Sequence, residues 1–223
     1  MPLENELRVR GCIVAWLTAC VVLTFGAAVS TASAAQVGDK ANAVAFVRAV
    51  NLRAHDLPTW RRLPDPAIYG GRASDGTFDR CAGVKPYRYI ASATSPTFGR
   101  GRRGAELFAS EAIIAPSAKL VSDELAALQT EGGRACFSAP VRSESEGVTL
   151  RWLPFPIPSA QGIDVRIEET SGPKRHLYID LLVFRRASAM IFLLGVRIGA
   201  PPNDRVERHL VSLLLRRAAA HPL

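Results

Sequence analysis

A chain of 223 residues, 48% apolar and 22% charged, can bury a sizeable core without help from metals or multiple disulfides. Its formal charge of +8 comes from arginines scattered along an alanine-rich sequence, with lysine only at Lys40, Lys85, Lys119 and Lys174. No block of about five or more like charges occurs and aromatic residues are not interleaved with basic ones, which excludes a nucleic-acid platform.

Residues 1–10 carry Arg8 and Arg10, residues 11–29 (GCIVAWLTACVVLTFGAAV) carry no charge, and residues 30–34 are small and polar. That is the order of a secretory signal, with Ala32 and Ala34 forming an A-x-A cleavage site after Ala34. Two alternatives stand beside it. Leu17-Thr18-Ala19-Cys20 fits a lipobox with Cys20 as the lipidated residue, and the uncharged stretch approaches the roughly 20 residues of an uncleaved anchor. All three put residues 35–223, read as one domain, outside the cytoplasm, with membrane contact only through the N-terminal segment. Beyond residue 34 the cysteines are Cys81 and Cys136, and in an oxidising compartment they are expected to form a disulfide; the alternative is a pair of buried free thiols.

In chain order, Val44, Phe46, Val47 and Val50 mark an amphipathic helix over residues 40–54. Residues 64–76 form an irregular stretch rich in proline and glycine leading to Cys81. Residues 87–93 and 107–115 read as paired strands, joined through Ser95-Pro96-Thr97-Phe98 and a Gly/Arg-rich turn. A helix capped by Ser117, with Leu120, Val121, Leu125 and Leu128 as its apolar stripe, ends at Gly132-Gly133. Strands follow over residues 147–154, 162–168, 175–186 and 189–198, the last two being the most apolar and therefore central. In the second of these Ile163, Val165 and Ile167 point inward and Asp164, Arg166 and Glu168 outward. Asp204 and Glu207 read as the capping box of a final helix that buries Val206, Leu210, Leu213 and Leu214. The order specifies an α+β fold: a largely antiparallel sheet of about six strands packed with three helices.

Chemical motifs are few. Gly99-Arg100-Gly101-Arg102-Arg103-Gly104 matches G-x-G-x-x-G but precedes a strand instead of opening a helix, so it reads as a flexible hairpin connection, with contact of Arg100, Arg102 and Arg103 to a surface anion as the lesser alternative. His176, Tyr178 and Asp180 share one strand face, with Asp180 inside an apolar run (LYIDLLVF). They are the candidate ligand-binding residues, and an imidazole, a phenol and a carboxylate on one face also suit acid–base work by a hydrolase or isomerase. The plainer reading is a half-exposed polar row. His55, His176, His209 and His221 have no metal-ligand spacing, and no nucleophile–base motif is present, so neither a metal, a cofactor nor a catalytic set is expected.

The ordered set of residues 51–58 (NLRAHDLP), 78–83 (FDRCAG), Ser95-Pro96-Thr97-Phe98, Ser110, Pro116-Ser117-Ala118, Ala135-Cys136, Tyr178-Ile179-Asp180 and 214–218 (LLRRA) resembles a family of exported or lipid-anchored actinobacterial proteins with no assigned activity. More distantly it is similar to the extracellular sensor domain of mycobacterial serine/threonine kinases and to PsbP-like lipoproteins. That resemblance implies a helix-packed sheet in the cell envelope, although kinase sensor domains commonly carry two disulfides where this chain has cysteines for one. The expectation is a non-enzymatic domain that binds or senses a small or lipid-like ligand or an envelope partner.

Overall fold

The computed structural model describes residues 34–63, 77–101, 105–144, 147–170 and 176–223. The expected signal with Cys20, the 64–76 stretch, Arg102 and Arg103, and the 171–174 turn lie outside them. The element order is α1 (Ala34–Val50), a 3-10 turn (Ala54–Asp56), β1 (Arg61–Arg62), α2 (Thr77–Ala82), β2 (Ala91–Thr94), β3 (Phe98–Arg100), β4 (Glu106–Ile114), α3 (Ala118–Gln129), α4 (Glu131–Glu144), β5 (Val148–Leu153), β6 (Gly162–Thr170), β7 (His176–Arg186), β8 (Ala189–Ile198) and α5 (Asp204–Ala220).

The strands form one antiparallel sheet in the order β1-β3-β4-β8-β7-β6-β5, with β2 pairing the far half of β4. The apolar β7 and β8 lie inside it as their composition demands. Alternation decides what each face meets. Ile163, Val165, Ile167, Ile179, Leu181, Val183 and Phe192 turn to one face, where Val121, Leu125 and Leu128 of α3 and Phe137 and Val141 of α4 cover them. Phe108, Ala112, Leu182, Phe184, Ile191 and Leu193 turn to the other, under Phe46, Val47 and Val50 of α1 and Leu210, Val211 and Leu214 of α5. The result is an α+β domain with helices on both faces of the sheet.

Two helices and two strands exceed the sequence expectation. The strand expected over 87–93 is formed only from Ala91 as β2, and the expected connection supplies a further strand, β3, after Ser95-Pro96-Thr97; at this break the Ser95 hydroxyl accepts from Ser110 N at 2.9 Å, standing in for a ladder carbonyl. Gly132-Gly133, expected to end a helix, lie inside α4. Thr130 starts that helix: its hydroxyl accepts from Gly133 N at 3.0 Å and donates to Ala127 O at 2.7 Å, bridging the end of α3 to the start of α4. A Cβ at Gly133 would sit 1.9 Å from the Ala127 carbonyl oxygen, whereas one at Gly132 meets nothing within 4 Å. Gly133→Ala is therefore expected to cost about 1–3 kcal/mol by forcing the corner apart, and Gly132→Ala to be neutral or stabilising by up to about 1 kcal/mol. Urea unfolding of both variants checks this, and equal midpoints would refute the close-approach role of Gly133.

The disulfide Cys81–Cys136 is formed, with Cα atoms 5.7 Å apart. It joins α2 to the middle of α4.

The motifs 51–58, Ser95, Ser110 and 214–218 converge on one structural node. Asn51 Nδ2 donates to the carbonyls of Val47 and Ala93 at 2.8 and 2.7 Å, while the Ser110 hydroxyl donates to Asn51 Oδ1 at 2.8 Å and accepts from Leu52 N at 2.9 Å. Arg217 of α5 closes the node with a bidentate pair to Asp56 at 2.8 and 2.5 Å and a bond to Asn51 O at 2.9 Å. Satisfying buried backbone groups where α1 ends explains why these polar residues stand in apolar surroundings.

Candidate functional site

Register builds the site. Across five strands the face under α5 carries three successive rows of opposed residues. Leu153, Asp164, Leu182, Leu193 and Ser110 form the first, Arg151, Arg166, Asp180, Gly195 and Phe108 the second, and Thr149, Glu168, Tyr178, Arg197 and Glu106 the third. The face thus passes from apolar core, through charge, to a polar end.

The middle of this progression is a buried carboxylate cluster. Asp180 is 0% exposed, and both its oxygens accept from Arg166, at 2.7 Å from Nε and 2.6 Å from Nη2. Asp164 and Glu207 are buried beside them, and Asp204 lies at the rim with its carboxylate 3.6 Å from Arg166. Glu207 belongs to the buried stripe of α5 with Leu210, Val211, Leu214 and Ala218, which is helical spacing. It is not the capping residue expected: Asn203 is the N-cap, its Oδ1 accepting from Arg205 N and Val206 N at 3.0 and 3.3 Å. Glu207 instead enters a space that Gly195 leaves open, where a Cβ would lie 2.9 Å from Glu207 Oε1 and 2.8 Å from the Phe108 ring.

Burial, then the charge of Asp180, pushes the Asp164 carboxyl up to about 7 against the pull of Arg166. Burial raises Glu207 further, helped by the charge of Asp180 and a hydrogen bond to it, so Glu207 holds its proton at neutral pH and donates it to Asp180. The hydrogen bond to Asp180 in turn raises the Arg166 guanidinium.

The third row surrounds one partly buried carboxylate, 20% exposed. Glu168 lies 3.3 Å from His176 Nδ1 and 4.0 Å from Arg151 Nη2, and it accepts from the Tyr178 hydroxyl. His176 and Tyr178 stack with ring centroids 6.1 Å apart. Of the three residues the sequence singled out, His176 and Tyr178 therefore belong to this open end, while Asp180 shares their face but is sealed in the cluster with both oxygens held by Arg166. The three do not meet as an acid–base set. Glu168, Arg166, Asp164 and Glu207 were not singled out, although the alternation 164, 166, 168 opposite Asp180 was the available signal.

The opposite face holds a second set of buried acids. Tyr87 donates to Glu124 at 2.5 Å, and burial pushes both Glu124 and Glu111 up to about 7. Asp79 of α2, 2% exposed, is raised by burial as well. The glycine–arginine loop is represented by Arg100, whose Nε donates to Glu106 at 2.5 Å and whose guanidinium lies 4.7 Å over the Trp60 ring, so this cation is committed.

Fold and site together define a disulfide-linked α+β domain with helices on both faces of its sheet, a buried acid cluster under the C-terminal helix and an open polar sheet end. No family model and no curated protein matches the chain. Among solved structures it is similar to the extracellular domain of PknH from Mycobacterium tuberculosis, with a TM-score of 0.44 and 11% identity over 78% of this chain and 96% of that one. Among the described residues no helix is long and apolar enough to cross a membrane, and no group of three or more His, Cys, Asp or Glu residues is arranged to hold a metal ion.

Proposed function

We propose that this is an extracytoplasmic binding domain, non-enzymatic in itself, that receives a small polar ligand, the polar head of a lipid, or an envelope partner on the open sheet end around Glu168. The observation that carries the reading is the third row: Thr149, Glu168, Tyr178 and Arg197 lie directly opposite one another on four strands, with His176 and Arg151 beside them. It presents a carboxylate, a phenol, an imidazole and guanidinium groups on a rigid sheet, where a ligand exchanges for water at little ordering cost. The paired cysteines and the signal-like N-terminus support a location outside the cytoplasm.

Amide chemical-shift mapping with soluble muropeptides and short-chain phospholipids tests this. Shifts are expected on residues 149, 168, 178 and 197, with affinity falling about tenfold or more, or about 1.4 kcal/mol, in Glu168→Ala. That variant is expected to lose about 1–2 kcal/mol of stability and to stay folded, because the Glu168 side chain is 20% exposed and accepts from Tyr178. Shifts confined to another surface, or affinity unchanged in Glu168→Ala, would remove the open end from the function.

A further inference from the structure

We propose that Asp164, Asp180, Glu207 and Arg166 form a proton-filled latch that fastens the N-terminal half of α5 to the sheet, and that removing its protons frees that half-helix. The geometry sets three buried carboxylates against one guanidinium. Arg166 is spent on Asp180 through two bonds, and neither Asp164 Oδ1 nor Glu207 Oε1 has a hydrogen-bond partner among the described residues. Asp164 is 6% exposed and Glu207 3%. A charge at either place meets only the pull of Arg166, whose hydrogen bonds are already given to Asp180, so the closed arrangement favours a proton on each.

Among the described residues, the elements packed against α5 place no cation other than Arg166 against these two acids. β8 contributes Gly195, which has no side chain, and its Arg197 donates to Pro201 O at 3.2 Å. β4 contributes Phe108 and, further along the same face, the buried acid Glu106, which Arg100 pairs. The cations of α1, Lys40 and Arg48, are exposed, and Asp204 at the rim adds a further negative charge. On the strand beyond, Arg151 faces Glu168.

The two ends of α5 are held differently. The C-terminal end is fastened by the Arg217–Asp56 pair, which brings a cation and an anion together and needs no added proton. The N-terminal half has no such pair: beside the apolar Leu210 and Val211, its buried polar contact is Glu207. The sign follows from proton binding. Asp164 and Glu207 hold protons in the folded state that they lose when unfolded, so their contribution is full in acid and declines as the pH rises, with Asp164 letting go near pH 7 and Glu207 above it. Opening would uncover the face of Phe108, Leu182 and Leu193.

Global stability does not isolate the latch, because Glu111 and Glu124 titrate in the same direction on the other face. Hydrogen exchange of α5 amides does. Between about pH 6 and about pH 9, after correction for intrinsic rates, protection of residues 204–211 in the wild-type protein is expected to fall about tenfold or more, while that of residues 214–220 holds. The double variant Asp164→Asn/Glu207→Gln, which keeps both side-chain volumes without a titratable proton, is expected to stay protected throughout, and Glu207→Gln alone to keep only the part of the fall near pH 7 that belongs to Asp164. Protection that is flat in the wild type, that falls equally along the helix, or that keeps its full pH dependence in the double variant overturns the latch. Should the double variant not fold, carboxyl-carbon NMR titration of the wild type must find Glu207 and Asp164 titrating above their ordinary range or the proposal fails.

Discussion

Replacing Arg166 with methionine is expected to cost the domain about 3–5 kcal/mol at mildly alkaline pH, the range for stripping the partner from a buried ion. The methionine fills much of the arginine stem's volume, so the loss is electrostatic rather than a cavity effect. Asp180, at 0% exposure, then has no cation, and of the two acids beside it Glu207 alone is raised far enough to keep its proton at that pH. It stays buried only by taking up a proton, which raises its folded pKa above the unfolded one. Stability from such a group is present in acid and lost as the pH rises, so the penalty in Arg166→Met is expected to shrink towards about pH 5 and to grow towards about pH 8. The double variant Arg166→Met/Asp180→Leu removes both charges and is expected to be more stable than the single one at about pH 8, because neighbouring effects on one ion pair do not add. Urea unfolding at the two pH values measures both. A single variant within about 1 kcal/mol of wild type at about pH 8 would show that the pair is solvated and the cluster is not a closed electrostatic unit.

What the sequence disclosed of this architecture divides along the range of the forces involved. β5 to β8 were legible because period-two alternation and long apolar runs are local signals, and pairing confirmed Ile163, Val165 and Ile167 as core. α4 was hidden because Gly132, Gly133 and Pro140 are helix breakers in isolation; Thr130 as cap and the backbone approach at Ala127 decide otherwise, and both are tertiary facts. α2, six residues long, is too short to show a period. Asp180 stood out as an acid in an apolar run, but its meaning lies in partners the chain order conceals. Arg166 is its neighbour through strand pairing, and Glu207 reaches it through the rotational phase of α5. The spacing of Asp204 and Glu207 imitates a capping box. With Asn203 one residue earlier already satisfying the free amides, Glu207 is released to face the sheet.

Breaking the Cys81–Cys136 bond should produce the other large effect, and a localised one. Opening a link across a sequence separation of 55 is expected to cost about 4 kcal/mol through the gain in freedom of the unfolded chain. For a domain of this size that lowers Tm by about 8–16 °C. The folded state should also respond unevenly. α2 is a single short helix that packs on α3 and α4, yet it carries Asp79, 2% exposed, on the side of Tyr87 and Glu124. Such an acid stays inside only while something holds its helix down. Without the disulfide, exchange at residues 77–87 should rise well before that of β7 and β8, whose packing involves neither cysteine. Cys81→Ala with Cys136→Ala separates the lost link from effects of free thiols. If reduction leaves Tm within about 2 °C, or if exchange rises uniformly over the sheet, the bond does not fasten α2 over these acids, and burial by α3 and α4 alone must hold Asp79 in place.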